Sequence, residues 1–426
     1  MLIASEVFDA ESAGTTVGDV LEVRAWRGGD LLGVSKDRES GLLGLSAWSL
    51  SWDASRQVQG QATLTVVDPD GDLAPWGMGD ALAPGGSRLS LVWASGGSST
   101  RVPLDWWRVR AASPREQWRV HRTGQLSPAG AFPGSAFPGE SAPVAGLPGV
   151  AGALAWVPGS GSVQVRVDDM TSAAVLARLD GEGNPPAGAT CLSEVRRLLD
   201  GLMAVEVAPG VVDRPVPGDL VYGDGRMDAV QSLVAHLDAG YRTGPSGSLQ
   251  VVPLSEQDPV WTIEGGEGGV LVDVARDLTD DGVYNAVVSR STLPDGTPIT
   301  SRAYLEAGPL AWGGPFGRVP AFHQSIATSQ AGLDADAASM LATLSSSGRT
   351  VLAVDCLTHP GVQVHDWVTV VAPTVAGGAP LVGRVVSKRM SSATVGKACV
   401  PSKRMSLGVQ VSIDALEAVS RRVSDA

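Results

Sequence analysis

The sequence predicts a mainly β chain with an α+β insertion, in which two β-barrel or sandwich modules flank a small α/β module. Three observations carry that expectation. Gly (53) and Pro (28) are spread along all 426 residues, so the chain turns often. Short runs that alternate apolar and polar residues occupy both ends of the chain. Between them lie stretches whose apolar residues recur at helical spacing. At 43% hydrophobic and 18% charged, there is enough apolar material for several cores.

Residues 1–126 form the first β module. In LSAWSLSWD, Trp48, Leu50 and Trp52 alternate with Ser49 and Ser51. QATLTVVD sets Ala62, Leu64 and Val66 against Gln61, Thr63 and Thr65, and Asp68-Pro69-Asp70-Gly71 then supplies a turn. Further strands fit 88–94, 105–112 and 117–124. Trp26, Trp48, Trp52, Trp76, Trp93, Trp106, Trp107 and Trp118 crowd the module and suit a barrel or sandwich core.

Residues 127–161 are a Pro/Gly-rich loop, with AFPG at 131–134 and again at 136–139. A solvated linker is polar, whereas this one carries Phe132, Phe137, Leu147, Leu154 and Trp156. Phe132, Phe137, Leu147 and Trp156 are the candidate subunit-interface residues; a loop folded over its own domain explains them equally well.

The α/β module spans 162–257. DDMTSAAVLARLDG predicts a short helix. CLSEVRRLLDGL places Leu192, Val195, Leu198, Leu199 and Leu202 on one stripe. GRMDAVQSLVAHLDAG does the same with Met227, Val230, Leu233, Val234 and Leu237, with Asp224 as cap and Gly240 as stop. YRTGPSGSLQVVP reads as a hairpin turning at GPSG.

The second β module spans 258–426. It holds strands around the LPDGTP turn and an Ala-rich helix with Leu333, Ala337, Leu341 and Leu344 on one face. A C-terminal hairpin follows, where Arg384, Lys388, Arg389, Lys397, Lys403 and Arg404 cluster. A contact with an acidic partner and a solvated, strand-protecting edge both account for that basic charge.

Several function classes fall away. A net charge of -13 repels duplex DNA and argues against sequence-specific binding, while an acidic wall past which DNA slides stays compatible. Cys191, Cys356 and Cys399 form no CxxC pair and are expected as buried free thiols. The first residues show no signal peptide, and no apolar run spans a membrane, so synthesis in a cytoplasm and a soluble state before assembly are expected. Asp68, Asp70 and Asp72 start like a calcium loop, but Leu73 and Gly79 stand where that loop needs its glycine and closing glutamate. GxSxG, HExxH and GxxxxGK[ST] are absent. His359 and His365 flank a predicted turn and Asp366 follows, but no further convergent metal ligand joins them. No catalytic, cofactor-binding or metal residue is assigned.

Three stretches, WSLSWDASRQVQGQATLTVVDPDGDLAPWGMGDALAPGGSRLSLVW (48–93), MDAVQSLVAHLDAGYRTGPSGSLQVVP (227–253) and the segment 283–342, together resemble the tail-hub (baseplate-hub) proteins of bacteriophages, known in many actinobacterial siphophages as minor tail proteins. In the third stretch Tyr284-Asn285, the DGTP turn, Gly314-Pro315-Phe316-Gly317 and the Ala-rich helix come in the family's order. HPGVQVHDWVTVV (359–371) is similar to the family's strand entry, with His365 where Gly is common. The resemblance covers residues 20–390 and rests on order and spacing. It finds no counterpart for 127–161 or for the hairpin beyond Lys388.

The resemblance implies that both β modules are tube-like and that three chains present six of them, a pseudo-hexameric homotrimer beneath the tail tube. Implied partners are a distal tail or tail-tube protein, the tape measure and tip or fibre proteins, with DNA passing unspecifically and no membrane insertion. The implied place is the virion tail tip, and the implied role is structural, without catalysis. Two other functions are weighed: a receptor- or carbohydrate-binding tail-tip protein, for its twelve tryptophans, and a peptidoglycan-cleaving tail enzyme, which needs a convergent carboxylate pair in a cleft.

Overall fold

The computed structural model describes residues 18–32, 41–68, 71, 73–96, 100–122, 154–180, 185–216, 222–277, 283–293, 297–308, 310–325, 329–346, 349–371, 378–395 and 398–412. The chain divides into two compact units. One comprises Leu2–Ser255 with Arg389–Lys403, the other Glu256–Lys388 with Arg404–Ala426. The mainly β class is what the sequence predicts.

The first unit opens with β1 (Val20–Arg27), β2 (Asp30–Leu31), β3 (Leu45–Asp53), β4 (Gly60–Val67), β5 (Ser87–Ala94), β6 (Arg101–Arg122) and β7 (Leu154–Asp169). They pair in the order β3-β4-β7-β6-β5-β1-β2, antiparallel at every step. The segment entering β3 bonds back to β1, with Leu43 N donating to Val23 O at 2.9 Å and a bridge between Arg24 and Leu42. The sheet is therefore rolled on itself.

Strand alternation decides what fills the roll. Val23, Leu50, Leu64, Val66, Leu89, Leu91, Val102, Trp107, Val109, Val163 and Val165 are all buried. Trp48 meets Trp93 edge-on, at 6.3 Å and 85°, a favoured aromatic geometry. The interior is packed side chain, so this barrel is not a channel. Trp76 departs from the expected tryptophan core: it lies on the β4–β5 connection and is 83% exposed. The strands expected at 105–112 and 117–124 are one strand, β6, whose register slips near Val109 and Gln117 instead of breaking. Residues 154–161, at the end of the Pro/Gly-rich stretch, begin β7.

The same unit contains α1 (Thr171–Leu176), α2 (Cys191–Leu199), β8 (Val205–Val207), α3 (Arg226–His236), β9 (Ala239–Thr243) and β10 (Leu249–Pro253). The sheet β8-β10-β9 packs with the helices around Val195, Leu198, Leu199, Met227, Leu233, Tyr241 and Leu249. Thr190 caps α2 through a reciprocal bond with Ser193. Helix α3 differs from expectation at both ends. Gly225 is its N-cap, and Asp238, at φ 53°, turns the chain, while Gly240 lies inside β9.

The second unit contains β11 (Trp261–Glu264), β12 (Leu271–Asp277), β13 (Ala286–Thr292), β14 (Pro298–Tyr304), β15 (Pro320–Gln324), α4 (Gln330–Ser346), β16 (Arg349–Leu357) and β17 (Trp367–Val371). Next come β18 (Leu381–Val395), β19 (Ala398–Pro401) and β20 (Arg404–Ser412). Leu352, Val354, Val368, Val385, Leu407 and Val409 form a core. A separate sheet, β14-β13-β15, packs on α4 through Leu333 and Ala337, both fully buried. Asn285 joins two of the motifs quoted above. Its side chain donates to Gly317 O and accepts from Val319 N, both at 2.9 Å.

Strand β18 is divided between the units. Residues 381–388 belong to the second, whereas Arg389–Lys403, with the end of β18 and all of β19, belong to the first. Ser392 Oγ accepts from Trp48 N at 2.9 Å and donates to Trp48 O at 3.3 Å. Met390 is buried, and β19 packs against both β1 and β3. The basic hairpin is thus a clasp over the seam of the barrel. Lys388 corrects the expectation of a solvated basic edge, since it is 3% exposed.

Replacing Arg389–Lys403 by a short turn should open this seam. Two hydrogen bonds and one buried Met are lost, on the order of 3 kcal/mol. Amide exchange should accelerate in β1 and β3 while β16 and β20 keep their protection.

Candidate functional site: a sealed acidic joint

Among the described residues, the strongest concentration of unusual electrostatics lies where the barrel meets the α/β module within the first unit. Asp105 of β6 is 2% exposed and Asp169, ending β7, is fully buried. A register shift opposite Leu91 and Val92 puts Leu104 and Asp105 both inside, so a strand that otherwise alternates turns one carboxylate inward.

Each carboxylate is held by donors from both parts. Asp105 accepts from Trp106 N at 2.6 Å and from the Thr243 hydroxyl of β9. Asp169 accepts from Gly60 N at 2.5 Å, from Thr171 N at 2.9 Å and from the Thr171 hydroxyl. Gly60 is required by space: a Cβ there would lie 3.0 Å from both Asp169 Cβ and Trp107 Cη2. Around the pair, Tyr241 donates to Gln57 O at 3.0 Å and accepts from Gln231 at 2.9 Å. Gln57 also donates to Asp228 and to Gln231. Neighbouring Asp168 is met from outside by Arg110 at 3.1 Å.

Burial pushes both acids up, opposed by their hydrogen bonds. Asp105 lies well above the usual carboxylate range, raised further by Asp169, and Asp169 is pushed to about 6. Raised carboxylates suit general acids, but such an acid must also meet a substrate. The open depression on the α/β module is lined by Arg196, Asp200, Gly201 and Leu202–Val205 and contains neither Asp105 nor Asp169. What the pair does chemically is join two parts of one unit.

Other candidates fall in different places. Lys388 Nζ donates to Pro360 O at 2.8 Å and Val362 O at 2.6 Å, inside the second unit. Burial lowers it to about 7, against the pull of Asp366. His359 stacks on Trp261 at 4.9 Å. His365 adopts φ 68°, the left-handed conformation for which glycine is common, as its place in the strand-entry motif implies. No group of three metal-ligating residues occurs among the described residues. Cys191 and Cys356 are buried free thiols as expected, while Cys399 is only half-buried because it lies in the clasp. Phe132, Phe137 and Leu147 lie outside the described residues, and Trp156 falls in β7 opposite Val120. Within the described residues, no helix is long and apolar enough to cross a membrane.

The alternation over 105–112 predicts a strand that includes Asp105 but does not mark the residue. Its signals were an aspartate inside an otherwise apolar strand and an Asp-Asp pair between a strand and a helix.

Raised acids are stabilised by protonation. The folded first unit binds a proton at Asp169 between the ordinary value of 3.8 and about 6, where the unfolded chain does not. Stability should rise as pH falls from 7.5 towards 5, by roughly 1–3 kcal/mol. Asp105→Asn should flatten that slope and raise the thermal midpoint at pH 7.5; an unchanged slope would remove the pair as its cause.

No protein-family model matches the chain, and no curated protein matches it either. Solved structures do. The tail protein from Neisseria meningitidis MC58 is similar at a TM-score of 0.57 and 13% identity, over 92% of this chain and 96% of that one. The 43 kDa tail protein of prophage MuSo2 from Shewanella oneidensis gives 0.56 and 12%, over 93% and 99%. A chain of the Francisella PdpA–VgrG complex in its half-lidded form gives 0.50 and 6%, over 92% of this chain and 58% of that chain. The chain has, nearly end to end, the fold of the two tail proteins.

Proposed function

We propose that the protein is a structural subunit of a phage tail, a hub that forms a homotrimeric, pseudo-hexameric ring at the tail tip. The observation that carries this is the near-complete overlap with two tail proteins, over 92–93% of this chain and 96–99% of theirs. Two β-rich regions per chain supply the six modules such a ring needs. A ring also answers the edge problem of β-rich chains. Because the first barrel is packed solid, the opening for tape measure and DNA lies between subunits, bounded by a chain of net charge -13. Adjoining tail-tube, tip or fibre proteins are the further partners in this proposal.

The role is structural, without catalysis. Its strongest carboxylate pair is buried and spent on an internal joint, which supports that view over a wall-cleaving enzyme. A carbohydrate-binding tail tip would use a set of exposed tryptophans, whereas Trp48, Trp93 and Trp107 are buried and Trp76 stands mostly exposed by itself among the described residues. Loop residues Phe132, Phe137, Leu147 and Trp156 are proposed as part of the subunit contact.

Light scattering tests this on the purified protein, alone and with its neighbouring tail proteins. The expected mass is three times the 43.7 kDa chain. Changing Phe132, Phe137 and Trp156 together to Ser should weaken the oligomer and leave the monomer folded. A permanent monomer that binds cell-wall sugar would favour the receptor-binding function.

A further inference from the structure

Two surfaces of the chain are built firmly, left open, and opposite in chemistry. The first is the connection between β4 and β5. Trp76 is 83% and Met78 70% exposed, yet the backbone that carries them is fixed. Arg27, ending β1, donates to the carbonyls of Met78 at 2.5 Å, Gly79, Asp80 at 3.1 Å and Gly85 at 3.0 Å. The Asp80 carboxylate accepts the N–H groups of Trp76 and Gly77, each at 2.7 Å, and these bonds hold it below the usual carboxylate range. Leu82, fully buried at φ 59°, anchors the same turn. Large apolar side chains on a rigid support lose little freedom on binding, which is the physical basis of a hot spot. One exposed carboxylate, that of Asp80, stands beside them.

The second surface is the outer face of the β14-β13-β15 sheet. The inner face packs on α4, with Ser289 and Ser301 buried and His323 paired with Asp336 at 3.1 Å. On the outer face, Arg302, Val288 and Phe322 stand side by side in register. Arg290, two residues along, lies 5.4 Å from the Phe322 ring centroid. Phe322 is 69% and Tyr304 41% exposed. Among the described residues, no carboxylate pairs with Arg290 or Arg302. In an acidic chain this is a cationic, aromatic platform awaiting an anionic, apolar partner.

The chain itself carries that partner. We propose that the Trp76–Met78 knob of one copy docks on the Arg290–Arg302–Phe322 face of a second copy, a head-to-tail contact that repeats to close the ring. This rests on the ring proposed above and names the surfaces that join it. Arginine against an indole face gains cation–π attraction, and the exposed Asp80 carboxylate complements a guanidinium group. Because the two surfaces differ, the contact is heterologous, the kind that closes into rings.

Sedimentation velocity tests it over about a hundredfold range of concentration. The samples are the full chain, a knob variant (Trp76→Ser with Met78→Ser), a platform variant (Arg290→Glu with Arg302→Glu) and a control, Val395→Ser, exposed but on neither surface. All changed positions are exposed, and thermal midpoints verify folding. The full chain and the control should associate alike, and each variant should weaken association at least about tenfold. Mixing the knob and platform variants should give a heterodimer and no ring, because one intact junction remains between them. Variants that associate like the full chain would overturn the contact and leave the ring standing. A full chain that trimerises only with neighbouring tail proteins would also overturn it. If the full chain trimerises under no condition, the ring itself fails.

Discussion

Every strand edge in a β-rich chain presents unpaired N–H and C=O groups, and covering those edges is the constraint on which the rest of this structure depends. In the first barrel the seam falls between β1 and the entry to β3. The chain closes it with its own distant end: Ser392 holds both backbone groups of Trp48, and β19 lies against β1 and β3. A hairpin from residues 389–403 thereby becomes part of a unit that otherwise ends at Ser255. Once the seam is shut, the barrel strands can turn mostly apolar side chains inward, and ten apolar strand-borne side chains from Val23 to Val165 reach zero exposure.

Closing the barrel has an electrostatic cost at its junction with the α/β module. Asp105 and Asp169 are buried within interaction distance, and burial raises both. Thr171, Thr243 and the Gly60 amide offset part of that cost by hydrogen bonding. Buried polar groups that are fully bonded fix one arrangement of the elements that supply the bonds. The same logic holds for Lys388, whose ammonium is met by backbone carbonyls inside the second unit.

Much of the fold was legible because it rests on local periodicity. The alternation of Trp48, Leu50 and Trp52 and the stripe of Leu192, Val195, Leu198 and Leu199 both mark faces that are buried, Trp52 only in part. Even the glycine-like place of His365 was visible, and its backbone is left-handed. What was hidden depends on contacts between distant residues. Nothing near Lys388 in sequence announces carbonyls from Pro360 and Val362, so its charge looked like surface. Trp76 looked like core because tryptophan usually is; its exposure follows from Arg27, 49 positions away, holding the turn that presents it. The acidic joint was missed because a bulge, which one sequence does not reveal, turns Asp105 inward.

The hub role proposed for this chain requires it to build a ring. Electron microscopy of the purified protein, concentrated and mixed with adjoining tail components, tests that most directly. A threefold ring with six barrel-sized densities around a central opening is the predicted image. Single particles that never close into a ring, from a sample that degrades cell wall, would contradict it.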